Sequence, residues 1–295
     1  MSRKGFTMGK RFDALLFPGR KHKAFTLSYD DGVVQDRRLI ELFDRYEAKA
    51  TFNLGYGHLG FQGAKSYHGR TPVDVSKVTV EEVKELYRNH EVGGHSLDHP
   101  DLTGIGTPYA MHEVIEDKIR LEELIEKPLE VFAYPYGTFN EDVKKIVSLA
   151  GYKGARTTRS THRFDLPLDP YEWDPTCHHN DEKLMDLAKE FVEKEGFRTS
   201  LFYVWGHGYE FDDRDNWKVM EDLLNYLDQY REQIWFASNG EILRYLEAYH
   251  RLEYSGDGTM VFNPSSIDLD IYTYDNTYEH LPAGCLTKIR ETGLL

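Results

Sequence analysis

Asp30 and Asp31 stand side by side in Ser28 to Gly32 (SYDDG), His95 and His99 stand four apart in His95 to His99 (HSLDH), and His207 closes Trp205 to His207 (WGH). A carboxylate with two imidazoles makes a three-ligand metal site whose remaining coordination is open to water, which is how catalytic rather than structural zinc is held. The chemistry such a set performs is hydrolysis. Neighbouring residues on an extended segment point to opposite sides, so the two aspartates are expected to have different partners and different tasks. A glycosidase pair is disfavoured for the same reason, since its carboxyl groups flank one bond at about 5 Å or more and normally come from different strands. Each segment also has a plainer reading: Asp before Gly is a common tight turn, and two histidines four apart can be ordinary surface residues. Pro100 pushes His99 out of the right-handed helical region, which puts it in a turn or at a helix end.

Such side chains need a scaffold that brings distant segments together. Short β-branched or aromatic runs alternate with amphipathic helical ones, the pattern of parallel strands joined by crossover helices. Strands are expected at Ala24 to Tyr29, Ala50 to Leu54, Glu91 to Gly94, Glu130 to Tyr134, Tyr152 to Thr157, Ser200 to Trp205 and Ile234 to Ser238. Seven β/α units fit a barrel better than an open sheet. They also put all three segments where strands run out, the edge at which α/β folds collect ligands and catalytic groups. Leu184, Leu187, Ala188 and Phe191 form one apolar helical stripe, and Met220, Leu223, Leu224 and Leu227 another. Thr79 with Glu82 has the spacing of a capping box, and Thr107 before Pro108 reads as an N-cap. From about Tyr254 shorter alternating segments (Met260 to Asn263, Ile267 to Tyr274) replace this pattern. Residues 1–250 are therefore expected to form the barrel and residues 251–295 a small β appendage packed on it.

With 295 residues, 40% of them hydrophobic, the chain can fill a core. Its formal charge of −14, with no locally basic face, argues against a nucleic acid or an anionic membrane surface as partner. Arg3, Lys4, Lys10 and Arg11 open the chain without the apolar run of a signal sequence, and no later stretch is long enough to span a bilayer, so a cytoplasmic location is expected. Cys177 and Cys285 are too few for a disulfide framework or a zinc ribbon.

Taken in order, these segments resemble the polysaccharide deacetylase family, whose first motif is T-F-D-D-G and whose second is H-[ST]-x-x-H. Ser28 and Tyr29 replace Thr and Phe in the first, and His95, Ser96 and His99 match the second in full. The resemblance covers about Ala24 to Leu246. It implies a distorted (β/α)7 barrel in which Asp31, His95 and His99 hold a divalent metal and Asp30 is the catalytic base. A third motif, R-x-P-[YF], is similar to Ala133 to Tyr136 (AYPY), with Pro135 and Tyr136 kept but Ala133 in the arginine place. In the family that arginine pairs with and orients the catalytic Asp, so Asp30 must either carry a higher pKa or find a substitute cation. Arg156, at the end of the fifth expected strand, and Arg159 are the candidates. The last motif, L-x-H, is similar to WGH and implies His207 as general acid, while Tyr136 would give its backbone N–H to an oxyanion hole. The fourth motif, normally an Asp and Trp segment, has its nearest counterpart at Trp173 and Asp174, with Cys177, His178 and His179 beyond, and no role is assigned there.

The reaction implied is removal of the N-acetyl group from an N-acetylhexosamine-containing mono-, oligo- or polysaccharide, and the partner expected is that acetylated carbohydrate. Zinc is the first choice of metal, and cobalt, nickel or manganese also suit a two-His, one-Asp site. Ala133 keeps two further readings open: hydrolysis of a non-sugar amide or cyclic ureide on the same fold, and a noncatalytic sugar-binding relative.

Overall fold

The computed structural model describes residues 14–67, 69–196, 198–273 and 277–289. Arg3, Lys4, Lys10, Arg11 and Tyr274 lie outside the described residues. The chain builds a curled parallel sheet around the strand Lys23–Asp30, whose whole length pairs with Ser200–His207. Its other flank is shared. The upper half pairs with Ala50–Leu54, and the lower half pairs with Ile234–Phe236. From Ala50–Leu54 the sheet continues through Glu91–Gly94 and Val131–Ala133 to Gly154–Arg156.

The strand expected at Ile234 to Ser238 forms as Ile234–Phe236 in this sheet, but it does not close the ring. Ile234–Phe236 is a wedge beneath Ala50–Leu54, and the segment Trp173 to His178 closes the barrel instead. Trp173 bridges Arg156, and Cys177 and His178 pair with Val204 and Trp205, so one short segment links both free edges of a distorted (β/α)7 barrel. The sequence hides this strand because only Cys177–His178 is regular, and two residues carry no readable alternation.

The central strand alternates. Thr26, Ser28 and Asp30 meet polar partners from other elements: Thr26 donates to Asn239 (2.8 Å), and Asn53 Nδ2 donates both to Ser28 (2.9 Å) and to Asp30 (2.8 Å). Phe25, Leu27 and Tyr29 pack in the outer layer with Leu39 and Phe43 of the helix Asp36–Arg45. This inside-polar, outside-apolar alternation is what a small barrel carrying a site at its mouth requires. Helix starts follow the expected capping at Thr79, whose box with Glu82 is formed, but the helix Thr107–Ile125 is capped one residue earlier, by Gly106. At the barrel floor Asn239 opens the helix Asn239–His250, accepting from Thr26 through Oδ1 and donating through Nδ2 to the Tyr203 hydroxyl. Leu243, Tyr245 and Leu246 of that helix pack against Val261, Leu269, Ile271 and Leu281. Leu269–Tyr272 pairs with Tyr278–Leu281 on one side and with Ala14–Leu16, from the other end of the chain, on the opposite side. Among the described residues no helix is long and apolar enough to cross a membrane.

Asp36 is fully buried below the mouth and accepts a hydrogen bond from Tyr87 Oη (2.8 Å). Burial pushes its carboxyl up to about 8. The folded chain therefore keeps a proton that the unfolded chain loses near pH 4, and stability falls as pH climbs from there through about 8. Asp36→Asn is expected to raise the urea midpoint more at pH 8 than at pH 5, by the equivalent of about 1 kcal/mol or more. Equal shifts at both pH values would refute a buried protonated acid.

Candidate functional site

Asp30 ends the central strand, and Asp31 follows it in a left-handed conformation (φ 81°) with Gly32 (φ 61°) behind it. That turn brings the second carboxylate back, so both aspartates line one cleft of about 720 Å³ at the mouth instead of pointing to opposite sides. Their partners differ, as expected. Asp30 is buried and paired through Oδ2 with the Arg156 guanidinium. Burial alone would raise its pKa, but Arg156, His95, His207 and Asn53 together hold it below the usual carboxylate range.

Arg156 is thus the cation that Asp30 needs in place of an arginine at position 133. Ala133 and Arg156 are register partners on adjacent parallel strands, so the guanidinium has moved one strand sideways at the same height in the barrel. Arg156 is itself buried, with its guanidinium over the Trp205 ring at 4.5 Å. Arg159 stays outside and pairs with Asp174 (2.9 Å) and Glu172 (3.3 Å).

His95 and His99 lie in the loop after Glu91–Gly94, not on a helix, and Ser96 (φ 64°) and His99 (φ 51°) adopt the left-handed region that Pro100 leaves open to His99. The backbone N–H of His95 donates to Asp117 (3.1 Å), a buried carboxyl pushed up to about 7 by burial. The His95 ring donates Nδ1–H to the Ala133 carbonyl (2.8 Å), which leaves its Nε2 lone pair free, the tautomer a metal ligand requires. The two Nε2 atoms are 3.1 Å apart, and each is 3.9 Å from Asp31 Oδ1. A triangle of these sides has a point about 2.1 Å from all three corners, the bond length of zinc to imidazole and carboxylate. The residues fit a divalent cation. Asp31 Oδ2 faces away from the pair, toward the Lys77 ammonium (3.4 Å). Burial lowers His99 to about 4, and neighbouring His95 adds to this, so both imidazoles are neutral near pH 7.

His207 reaches the cleft from the end of Ser200–His207, its Nε2 4.0 Å from Asp30 Oδ2. Gly206 before it is required, because a Cβ there would sit 2.0 Å from the buried His179 ring. Behind His207, Glu210 gathers three imidazoles: His207 Nδ1 (3.4 Å), His178 Nε2 (3.0 Å) and His179 Nε2 (3.4 Å). This cluster has the composition of a metal site, but its hydrogen bonds have another logic. His178 Nδ1 accepts the Asn180 backbone N–H (3.1 Å), so Nε2 carries the proton and donates to Glu210 instead of offering a lone pair. Glu210 is accordingly held far below the usual carboxylate range by His178 and His207 despite its burial. Burial would lower His207, but Glu210, with help from Asp31 and Asp30, raises it to about 9.

Tyr136 sits in the turn Pro135–Gly137 with a left-handed backbone (φ 59°), its exposed ring edge-on to His99 at 4.6 Å. Of the site residues read from sequence, Asp30, Asp31, His95, His99, Tyr136 and His207 all line the one cleft. Glu210, Asn53 and Lys77 were not read from sequence. Glu210 has the one available signal, three residues after His207 at a helix start, but an acid there is also ordinary complement to the helix dipole.

Residues 18–155 match the family model described as polysaccharide deacetylase. Among curated proteins, a peptidoglycan-N-acetylglucosamine deacetylase of Bacillus cereus is 26% identical over 153 residues, 51% of this chain and 61% of its own length. A gellan lyase of a Bacillus species is 24% identical over 178 residues, 53% of this chain and 7% of its own length. The chain therefore spans less than two thirds of the curated relatives it matches. The Xyl-CE4 domain of a multidomain xylanase from the hindgut metagenome of Trinervitermes trinervoides superposes with a TM-score of 0.51 at 15% identity, covering 80% of this chain and 96% of that one, a likeness of fold.

Proposed function

Since residues 18–155 match the polysaccharide deacetylase family model, we propose that this chain is a metal-dependent hydrolase that removes the N-acetyl group from an N-acetylhexosamine-containing carbohydrate. The observation that carries this reading is the triangle of Asp31, His95 and His99 beside an ionised Asp30. Asp31 Oδ1 and the two Nε2 atoms would hold a divalent cation, with zinc the first choice. When bound, the cation supplies a Lewis acid that polarises the acetyl carbonyl and makes a nearby water more acidic.

Asp30 takes the proton from the attacking water. Arg156 keeps it ionised and fixes its orientation, and Asn53 holds the other oxygen. As the tetrahedral oxyanion forms, the Tyr136 backbone N–H is the protein donor assigned to it, a role worth on the order of 3 kcal/mol where such a donor has been removed. His207, charged near neutral pH and fixed by Glu210 at Nδ1, gives its Nε2 proton to the departing amine. Asp30 must be deprotonated and His207 protonated, so the rate profile is bell-shaped in pH.

Two measurements test this. Acetate release across N-acetylated mono- and oligosaccharides is expected, and a chelator should abolish it; turnover that is indifferent to chelation would refute the metal site. Glu210→Gln removes the interaction that raises His207, so the imidazole titrates nearer 6.5 and the alkaline limb of the profile should move down by about a unit or more. An unmoved alkaline limb would remove Glu210 from the mechanism.

A further inference from the structure

Between Leu54 and the helix Val80–Leu86 the chain makes a strap across the mouth, carrying a small ribbon of Ala64–Lys65 and Val73–Asp74. Both ends of its course are tied down. On one side Val34 N–H donates to Ser76 and Gln35 Nε2 to Asp74 (both 2.9 Å), anchoring it to the loop after Asp31. On the other, Tyr67 stacks on Tyr209 with ring centroids 5.1 Å apart and planes 8° from parallel, and Arg70 pairs with Asp213, anchoring it to the helix after His207.

The strap delivers two lysines to the cleft. Apart from histidines, the charged residues lining the cleft are Asp30, Asp31, Lys65 and Lys77. Both acids are already matched, Asp30 by Arg156 behind it and Asp31 by Lys77. Lys65 has no carboxylate within 4 Å among the described residues, and its ammonium lies 5.1 Å from the Tyr67 ring that the strap holds in place. The chain as a whole carries a charge of −14, with 50 acids to 36 bases, so a mouth with an unmatched cation runs against its composition. A cation focused in a cleft attracts an anion and raises its local concentration.

We propose that the substrate is an N-acylated sugar bearing an anionic group, carboxylate or phosphate, which Lys65 receives; this rests on the deacetylase reading of the same cleft. One uncompensated charge met at contact range in a partly solvated cleft is worth about tenfold in kcat/KM. The test compares acetate release from N-acetylglucosamine, N-acetylglucosamine 6-phosphate and N-acetylmuramic acid by the native chain and by Lys65→Gln, and titrates the same sugars calorimetrically into the metal-stripped chain. Preference for an acidic sugar over the neutral one is expected, expressed in KM, weakened by salt and reduced about tenfold in Lys65→Gln. The better of the two acidic sugars identifies the anion.

Equal kcat/KM for neutral and acidic sugars, or a preference that survives Lys65→Gln unchanged, overturns charge selection and leaves deacetylation standing. Calorimetric preference for the acidic sugars that Lys65→Gln abolishes, with no acetate from any sugar, supports charge selection and overturns the deacetylase reading. Neither binding nor acetate overturns both.

Discussion

Asp30→Asn is expected to lose acetate release by on the order of 10³-fold while binding its divalent cation as the native chain does. The amide keeps the size of the carboxylate and can still meet Asn53, but it cannot take a proton from water. Asp30 is not a corner of the Asp31, His95 and His99 triangle, so the cation should stay. Asp31→Ala and His95→Ala should do the reverse at the first step, losing the cation and with it turnover. Metal content after dialysis, determined on the samples assayed for acetate, separates the two classes. If Asp30→Asn loses metal as Asp31→Ala does, the division of labour between the two aspartates is wrong.

Arg156→Ala should be the most damaging single change outside that triangle. It strands a buried carboxylate, and breaking a buried ion pair from one side costs about 3–5 kcal/mol. Burial then dominates Asp30, its pKa rises, and the acidic limb of the rate profile moves to higher pH, the opposite limb from the one Glu210 governs. Arg156→Lys should recover little, because an ammonium cannot meet Asp30 and the Thr157 carbonyl with separate nitrogens while a planar cation lies over Trp205. Adding Ala133→Arg to Arg156→Ala tests the geometry directly. The two positions are neighbours in register, so partial recovery of rate and of the acidic limb is expected. An acidic limb left unmoved by Arg156→Ala would show that the guanidinium does not set the Asp30 charge.

Much of this was legible in the sequence because the decisive residues sit where strands end, and strand positions follow from β-branched and aromatic runs. Ala50–Leu54 and Glu91–Gly94 fall at the expected boundaries, and the order of Asp30, Asp31, His95, His99 and His207 along those ends was readable. The sequence could name Arg156 but not choose it over Arg159, since the choice depends on register across two strands. It placed the strand at Ile234–Phe236 but missed the segment that closes the ring, Trp173 to His178, because that segment is mostly irregular backbone held by hydrogen bonds to its neighbours in the fold. Lys77 and Glu210 were beyond reach for a related reason. A charge on a loop or in a first helical turn reads as solvent-facing until folding shows what stands opposite it.

The shared flank of Lys23–Asp30 has a bearing on how a cation could leave. With Ser200–His207 along one edge and two successive strands along the other, the central strand has no free edge from which to peel. Its amides should be among the slowest in the chain to exchange with deuterium, opening only with global unfolding. Asp31, the carboxylate corner of the triangle, directly follows that doubly paired strand, whereas His99, an imidazole corner, stands five residues beyond the end of Glu91–Gly94. An ion held there would be expected to leave from the His99 side, with Asp31 as the fixed post.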